Sequence, residues 1–125
     1  MERKTLGQTA ASYSLGVSVP VGRLIFISGT VAMDEKGNVI GKGDMEAQAR
    51  AVFRQIEKLL QEDGANLGDV VKITAFVTDM SQYVKFASVR KEVFGAGPYP
   101  ASATVGVSGL VKDGLLVEVE AIAVI

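Results

Sequence analysis

The chain has 125 residues, enough for one hydrophobic core, and residues 1–125 are interpreted as a single domain. Its 13 basic and 14 acidic side chains leave a net charge of −1, which gives no general attraction to nucleic acid or to an anionic membrane. It contains neither cysteine nor histidine, which excludes disulfides, thiol nucleophiles, histidine-based triads and the usual zinc sites, and no metal or cofactor is predicted.

The first elements predicted along the chain are strands. Residues 13–19 form a plausible strand, and residues 24–27 are a continuous apolar run typical of a strand that is buried on both faces. Ser28 and Gly29 are expected to end that second strand. Residues 31–40 then have the pattern of a hairpin.

Residues 44–62 give the clearest helical pattern. Apolar side chains recur at helical spacing, as Met45, Ala49, Val52, Phe53, Ile56, Leu59 and Leu60. Asp44 is suited to cap the first amide groups, and Gly64 is suited to close the carboxyl end in a left-handed conformation.

The remaining elements alternate between strand and helix. Residues 70–78 are rich in β-branched side chains and predict a central strand, and residues 82–94 predict a second helix. Two strands, at residues 101–108 and 115–124, end the chain.

This order of elements predicts an α+β domain in which two helices pack on one face of a mixed sheet. Two helices cover one face only, so the other face needs a partner. We expect that open face to carry Ser102, Thr104 and Val124, and we expect the chain to self-associate through it.

The N-terminal segment lacks the apolar stretch of a signal peptide, and no apolar run is long enough to cross a bilayer. A cytoplasmic protein without membrane contacts is therefore expected.

Several short motifs, in order along the chain, resemble the Rid family of reactive-imine deaminases (RidA, YjgF). The motifs are Tyr13-Ser14, Ile27-Ser28-Gly29, the segment at residues 64–72, Thr78-Asp79-Met80, Pro100-Ala101 and the segment at residues 117–123. Together they span nearly the whole chain at compatible spacing.

The resemblance implies a fold like that of YjgF and chorismate mutase, assembled as a homotrimer with its sheets forming a central barrel and its small-molecule clefts between subunits. It also implies a hydrolase that converts enamines and 2-imino acids to 2-oxo acids and ammonia. An imine carbon is already electrophilic, so such a protein has only to hold it, position a water and manage a proton.

Site residues follow from the same resemblance. Glu118 corresponds to the glutamate that orients the water, although from the residues alone it is more simply a solvated strand carboxylate. Tyr13 would line the cleft, and Ser28 and Gly29 would place a hydroxyl and backbone amides near the ligand. From the residues alone, a packed strand tyrosine explains Tyr13 equally well, and an ordinary strand-ending turn is the stronger interpretation of Ser28 and Gly29.

Ser102 departs from the family pattern. Rid deaminases have an arginine at this position, whose planar fork pairs with the substrate carboxylate. The serine here predicts a poor deaminase of 2-imino acids. Arg90 is a candidate displaced cation for the cleft; its alternatives are a side chain that reaches the surface or one that pairs with Glu92 or another carboxylate.

Two other functions stay open. The same cleft would serve a non-catalytic protein that binds a small metabolite, or a chaperone-like protein. A ribonuclease is disfavoured because the chain lacks histidine and an excess of basic residues.

Overall fold

The computed structural model describes residues 2–125 and shows a single α+β domain, as predicted. Its elements in chain order are β1 (Lys4–Leu6), β2 (Gly16–Ser18), β3 (Leu24–Val31), α1 (Met45–Gln61), β4 (Val70–Val77), α2 (Tyr83–Phe94), β5 (Ala101–Gly106) and β6 (Val117–Val124). Single turns of 3₁₀ helix precede β4 and α2, at Leu67–Asp69 and Met80–Gln82.

The main sheet has four strands in the order β3-β6-β4-β5. Only β4 and β5 are parallel, and α2 forms the crossover that a parallel pair requires. The other two pairings are antiparallel, and β1 and β2 form a separate two-stranded ribbon. The sheet is therefore mixed, as the sequence indicated.

Both helices pack on one face of this sheet. The core consists of the apolar stripe of α1, the inward side of α2 and alternate residues of β4 and β6. Phe53 of α1 lies 6.0 Å from Phe86 and 5.6 Å from Phe94 between ring centroids, and these contacts join the two helices. Asp44 caps α1 by accepting from the amide of Ala47 at 3.1 Å, as predicted.

The opposite face of the sheet is open and partly apolar. Leu24 and Phe26 of β3 are 55% and 69% exposed there, and Val105 of β5 is 44% exposed. Their strand partners on this face include Ile122 and Val124 of β6. The expected open face is confirmed for this chain.

The expected position of Ser102 and Thr104 on the open face was wrong. In the parallel pairing of β4 and β5, Ser102 lies opposite Ile73 and Thr104 lies opposite Ala75. Ile73 and Ala75 are buried against the helices, so Ser102 and Thr104 also face the helices. Alternation within β5 distinguishes two faces, but only the partner strand decides which of them meets the helices.

Strand β3 continues past its predicted end. It runs through Ser28 and Gly29 to Val31, with a register shift against β6 between Ile27 and Thr30. Three residue steps on β3 match two on β6, which is a β-bulge. The serine-glycine pair therefore marks a bulge within the strand and not its end.

The N-terminal third has less regular structure than predicted. Within residues 13–19 only Gly16–Ser18 is a strand, and Ser14 forms an isolated bridge to Ala101. The predicted hairpin at residues 31–40 is reduced to one bridge between Met33 and Val39. No helix within residues 2–125 is long and apolar enough to cross a membrane.

Candidate functional site

The side chain of Arg90 is the centre of the first group of candidate residues. It projects from α2 toward β5 and is only 2% exposed. Its three nitrogens each donate to a different hydroxyl: Nε to Ser12 at 3.0 Å, Nη1 to Ser102 at 3.2 Å and Nη2 to Tyr83 at 3.1 Å. These bonds connect the helix, the edge strand and the segment before β2.

Aromatic rings surround the same guanidinium. Its central carbon lies 5.1 Å from the ring centroid of Tyr13, 5.7 Å from that of Phe86 and 5.8 Å from that of Tyr83. Each distance is within the range of a cation–π interaction. Of the candidate residues, the structure brings Tyr13, Ser102 and Arg90 together.

Arg90 has no carboxylate partner within ion-pair distance in residues 2–125. The alternative that it pairs with Glu92 was wrong, because Glu92 binds Arg50 at 2.8 Å on the helix surface. The hydrogen bond from Arg50 holds the pKa of the Glu92 carboxyl below its usual value. The alternative that Arg90 reaches the surface was also wrong, because the side chain is buried.

A buried cation without a counter-ion is unusual. Desolvation of a single ion costs on the order of several kcal/mol, and hydroxyls and aromatic faces offset only part of this cost. Buried charges in proteins are normally paired. The environment of Arg90 is therefore suited to receive an anion.

A pocket of about 340 Å³ adjoins Arg90. It is lined by Tyr13, Met80, Tyr83, Arg90, Ser102 and Thr104. Sequence reasoning did not single out Tyr83 or Ser12 as site residues. The sequence could have indicated Tyr83, because it precedes Arg90 by seven residues and so lies on the same side of α2. No sequence pattern indicated Ser12.

Glu118 belongs to a second group of residues, on the open face of the sheet. It is half-buried on β6, beside the bulge of β3. Gly29 packs directly against it, since a methyl group at Gly29 would lie 2.8 Å from the carboxyl carbon of Glu118 and overlap its Oε2 atom. Ser28 is the neighbouring residue in the bulge. The structure thus brings Ser28, Gly29 and Glu118 together.

The Glu118 carboxylate forms no hydrogen bond or ion pair with the described part of the chain. It retains its full capacity to accept hydrogen bonds from a ligand or a water. A strand carboxylate with an adjacent bulge, where the backbone amides are not all used in the ladder, is a suitable place to hold a water.

The two groups lie on opposite faces of the sheet. Glu118 is opposite Phe76 of β4, whereas Ser102 is opposite Ile73, three residues earlier on the same strand. An odd separation along a strand places side chains on opposite faces. Glu118 and Ser102 therefore lie on opposite faces, and one chain does not bring Arg90 and Glu118 together.

A family model described as endoribonuclease L-PSP matches residues 4–125. The chain belongs to the Rid (YjgF/RidA) family. Among its relatives, a RutC family protein from Pyrococcus abyssi is 41% identical over 106 residues, which cover 85% of this chain and 82% of the relative. A 2-iminobutanoate/2-iminopropanoate deaminase from Dermatophagoides farinae is 33% identical over 108 residues, which cover 86% of this chain and 83% of the relative.

Solved structures of Rid proteins have the same fold. A Rid-family protein of unknown function from Yersinia pestis superposes with a TM-score of 0.89 at 25% identity, and the match covers 100% of both chains. RidA from the Antarctic bacterium Psychrobacter superposes with a TM-score of 0.76 at 34% identity, over 94% of this chain and 92% of RidA. The expected family and fold class are confirmed.

Arg90 contacts Ser102, the residue at which the sequence is expected to depart from the family pattern. The resemblance implies an arginine at residue 102 of the edge strand β5. Here residue 102 is a serine, and a guanidinium extends from α2 to its hydroxyl. The positive charge is present near this position, but it comes from a different element.

Proposed function

We propose that this protein is a deaminase that hydrolyses 2-imino acids to 2-oxo acids and ammonia, at sites formed between the subunits of a homotrimer. Its membership of the Rid family and its similarity to a 2-iminobutanoate/2-iminopropanoate deaminase support the reaction class. The observation that carries the proposal is the buried guanidinium of Arg90, which lacks a counter-ion and lies beside Ser102.

Arg90 would hold the substrate carboxylate. A guanidinium matches a carboxylate in shape and charge, and hydrogen bonds between such groups are about twice as strong as neutral ones. The expectation of a poor deaminase rested on the loss of the family arginine. Because Arg90 supplies a guanidinium beside Ser102, we now propose substantial activity on 2-imino acids.

Glu118 would act as the general base and general acid of the reaction. A water oxygen bonds to C2 of the imine while the C=N π electrons move to nitrogen; Glu118 accepts a proton from the water and passes it to that nitrogen, which gives a carbinolamine. Glu118 then takes the hydroxyl proton of the carbinolamine and delivers it to the nitrogen; the C=O bond forms, the C–N bond breaks with its electron pair on nitrogen, and ammonia leaves. C2 becomes the ketone carbon of the 2-oxo acid, and Glu118 ends ionised as it began.

This chemistry requires neither metal nor cofactor, because the imine carbon is electrophilic by itself. It does require a water held close to C2 and a site closed to bulk solvent. The free acceptor oxygens of Glu118, with Ser28 and Gly29 beside them, provide the means to hold that water.

The open sheet face and the positions of the site residues both support assembly of several copies of the chain. The open sheet face exposes Leu24, Phe26 and Val105, and burial of apolar surface of this kind drives association. Because Arg90 and Glu118 lie on opposite faces, a site containing both needs Arg90 from one subunit and Glu118 from the next. A homotrimer around a central barrel of sheets, with clefts between neighbours, satisfies both requirements.

The test is ammonia release from 2-iminobutanoate generated in the assay by a second enzyme. We expect wild-type protein to accelerate this release and Glu118→Gln to lower the rate by roughly 10²-fold or more. Glu120→Gln is the matched control, since Glu120 is a more exposed glutamate two residues further along the same face. An equal rate for both variants would assign Glu118 a structural role.

A non-catalytic metabolite-binding protein is the second candidate, favoured by the pocket of about 340 Å³ beside Arg90. It predicts binding of 2-oxobutanoate without any ammonia release from 2-iminobutanoate. Ribonuclease activity, although it occurs in the description of the family model, is not proposed. The chain has no histidine and a net charge of −1.

A further inference from the structure

We infer that the hydroxyl groups of Tyr83 and Ser102 bind the same carboxylate as Arg90, so that the pocket is a four-donor site for a planar monoanion. This inference rests on the proposed function for the identity of the ligand. It assigns to Tyr83 and Ser102 a direct contact with the substrate.

The guanidinium of Arg90 has N–H groups that no acceptor in residues 2–125 uses. Arg90 has five N–H groups and uses three of them, on Nε, Nη1 and Nη2, to reach Ser12, Ser102 and Tyr83. One N–H group on each terminal nitrogen is left. Neither has an acceptor in residues 2–125 beyond the hydroxyls already named.

The hydroxyl hydrogens of Ser102 and Tyr83 are also available to a ligand. A guanidinium only donates, so Ser102 and Tyr83 must accept from Arg90, and their own hydrogens remain available. Neither hydroxyl donates to another group of the described chain. Both residues line the pocket of about 340 Å³, so these two hydrogens have a ligand-accessible space beside them.

Ser12 shows why only two of the three hydroxyls contribute. Its Oγ atom accepts from Nε of Arg90 and donates to the carbonyl oxygen of Ala87 at 3.2 Å. Its hydrogen is therefore used within the protein. The unused donors all belong to the side of the guanidinium that carries Ser102 and Tyr83.

The count of donors indicates the class of ligand. Two N–H and two O–H groups give four donors, and an ionised carboxylate has about four lone-pair sites on its two oxygens. One guanidinium balances a single negative charge. Tyr13, Met80 and Thr104 line the rest of this pocket of about 340 Å³, which has room for the remainder of a short carboxylate. A short 2-imino or 2-oxo monocarboxylate fits these features.

Binding of the unreactive product 2-oxobutanoate tests the inference without any turnover. Isothermal titration calorimetry on the full-length protein should show wild-type binding that is at least about 10-fold tighter for 2-oxobutanoate than for its neutral amide. Tyr83→Phe and Ser102→Ala should each weaken 2-oxobutanoate binding by about 10-fold or more, because each removes one hydrogen bond to a charged group.

Tyr99→Phe is the matched control, since the Tyr99 hydroxyl bonds to the carbonyl oxygen of Gly95 outside this pocket. It should bind 2-oxobutanoate as tightly as wild type. Tyr83→Phe keeps the ring over Arg90 and removes only the oxygen, so a loss of affinity with an unchanged melting temperature reports the hydroxyl itself.

The outcomes separate this inference from the deaminase proposal. If wild type binds 2-oxobutanoate with the expected variant pattern but releases no ammonia, the four-donor site stands and the deaminase proposal fails. If wild type releases ammonia while Tyr83→Phe and Ser102→Ala bind 2-oxobutanoate as tightly as wild type, the inference is overturned alone. An equal affinity for 2-oxobutanoate and its amide also overturns it.

Discussion

Nη1 of Arg90 on α2 donates a hydrogen bond of 3.2 Å to Oγ of Ser102 on β5. The guanidinium that contacts this serine extends from a helix that packs on the same face of the sheet. A small residue at position 102 leaves room for this approach. Arg90 and Ser102 thus form one structural arrangement that connects α2 to β5.

Arg90→Met should lower kcat/KM for 2-iminobutanoate by roughly 10²-fold, because the charge-assisted contact to the carboxylate is lost. The free energy of unfolding should change by less than about 2 kcal/mol, since removal of an uncompensated buried charge offsets the loss of three hydrogen bonds to hydroxyls. Steady-state kinetics and thermal unfolding measure the two quantities. Arg54→Met, an exposed change on α1, is the control; an unchanged rate for Arg90→Met would remove Arg90 from the site.

Ser102→Arg would place an arginine at the position where the resemblance implies one. The added guanidinium would, however, lie next to the buried guanidinium of Arg90. We now expect a stability loss of about 1–3 kcal/mol and no gain in kcat/KM.

The double variant Ser102→Arg/Arg90→Met provides the matching test. It keeps one guanidinium and moves it to the strand, so it should recover stability and kcat/KM relative to both single variants. Additive losses in the double variant would show that the two positions do not share a role.

The helices, the central strands and the family were predictable from the sequence, because the periodicity of α1 and the apolar alternation of β6 are strong local signals. The sequence could not show which side of β5 meets the helices, since small and polar residues alternate there. The pairing of Ser102 with Ile73 sets the orientation of this strand. The hydroxyl contacts of Arg90 were also unpredictable. Ser12 is 78 residues away in the chain, and no local pattern reports such a contact.

Gly29→Ala should lower kcat by about 10-fold or more, because the added methyl group collides with the Glu118 carboxylate and displaces it. Gly29 does not have a positive φ angle, so alanine introduces no backbone strain there. Gly109→Ala is the matched control, since a methyl group at Gly109 meets no other atom within 4 Å. Rates and unfolding curves for both variants distinguish collision at the site from general destabilisation.

Phe26→Asp should convert the proposed homotrimer to monomers, since it places a charge on the open apolar face. Phe26 is 69% exposed in the single chain, and we expect this exposed area to be buried between subunits. Light scattering should give wild type three times the chain mass of 13.2 kDa at micromolar concentration. Val84→Asp, a residue 76% exposed on α2, should leave that mass unchanged; a monomeric wild type contradicts the proposal.

Mixing two inactive variants should restore activity if each site uses Arg90 from one subunit and Glu118 from its neighbour. In trimers assembled at random from equal amounts of Arg90→Met and Glu118→Gln chains, roughly a quarter of the interfaces combine an intact Arg90 with an intact Glu118. We therefore expect about a quarter of wild-type ammonia release after the variants are unfolded and refolded together, and almost none when they are mixed without subunit exchange. If both groups served a site within one chain, every chain would lack one of them and refolding together would restore nothing. The opposite faces of Ser102 and Glu118 in the sheet register favour the first outcome.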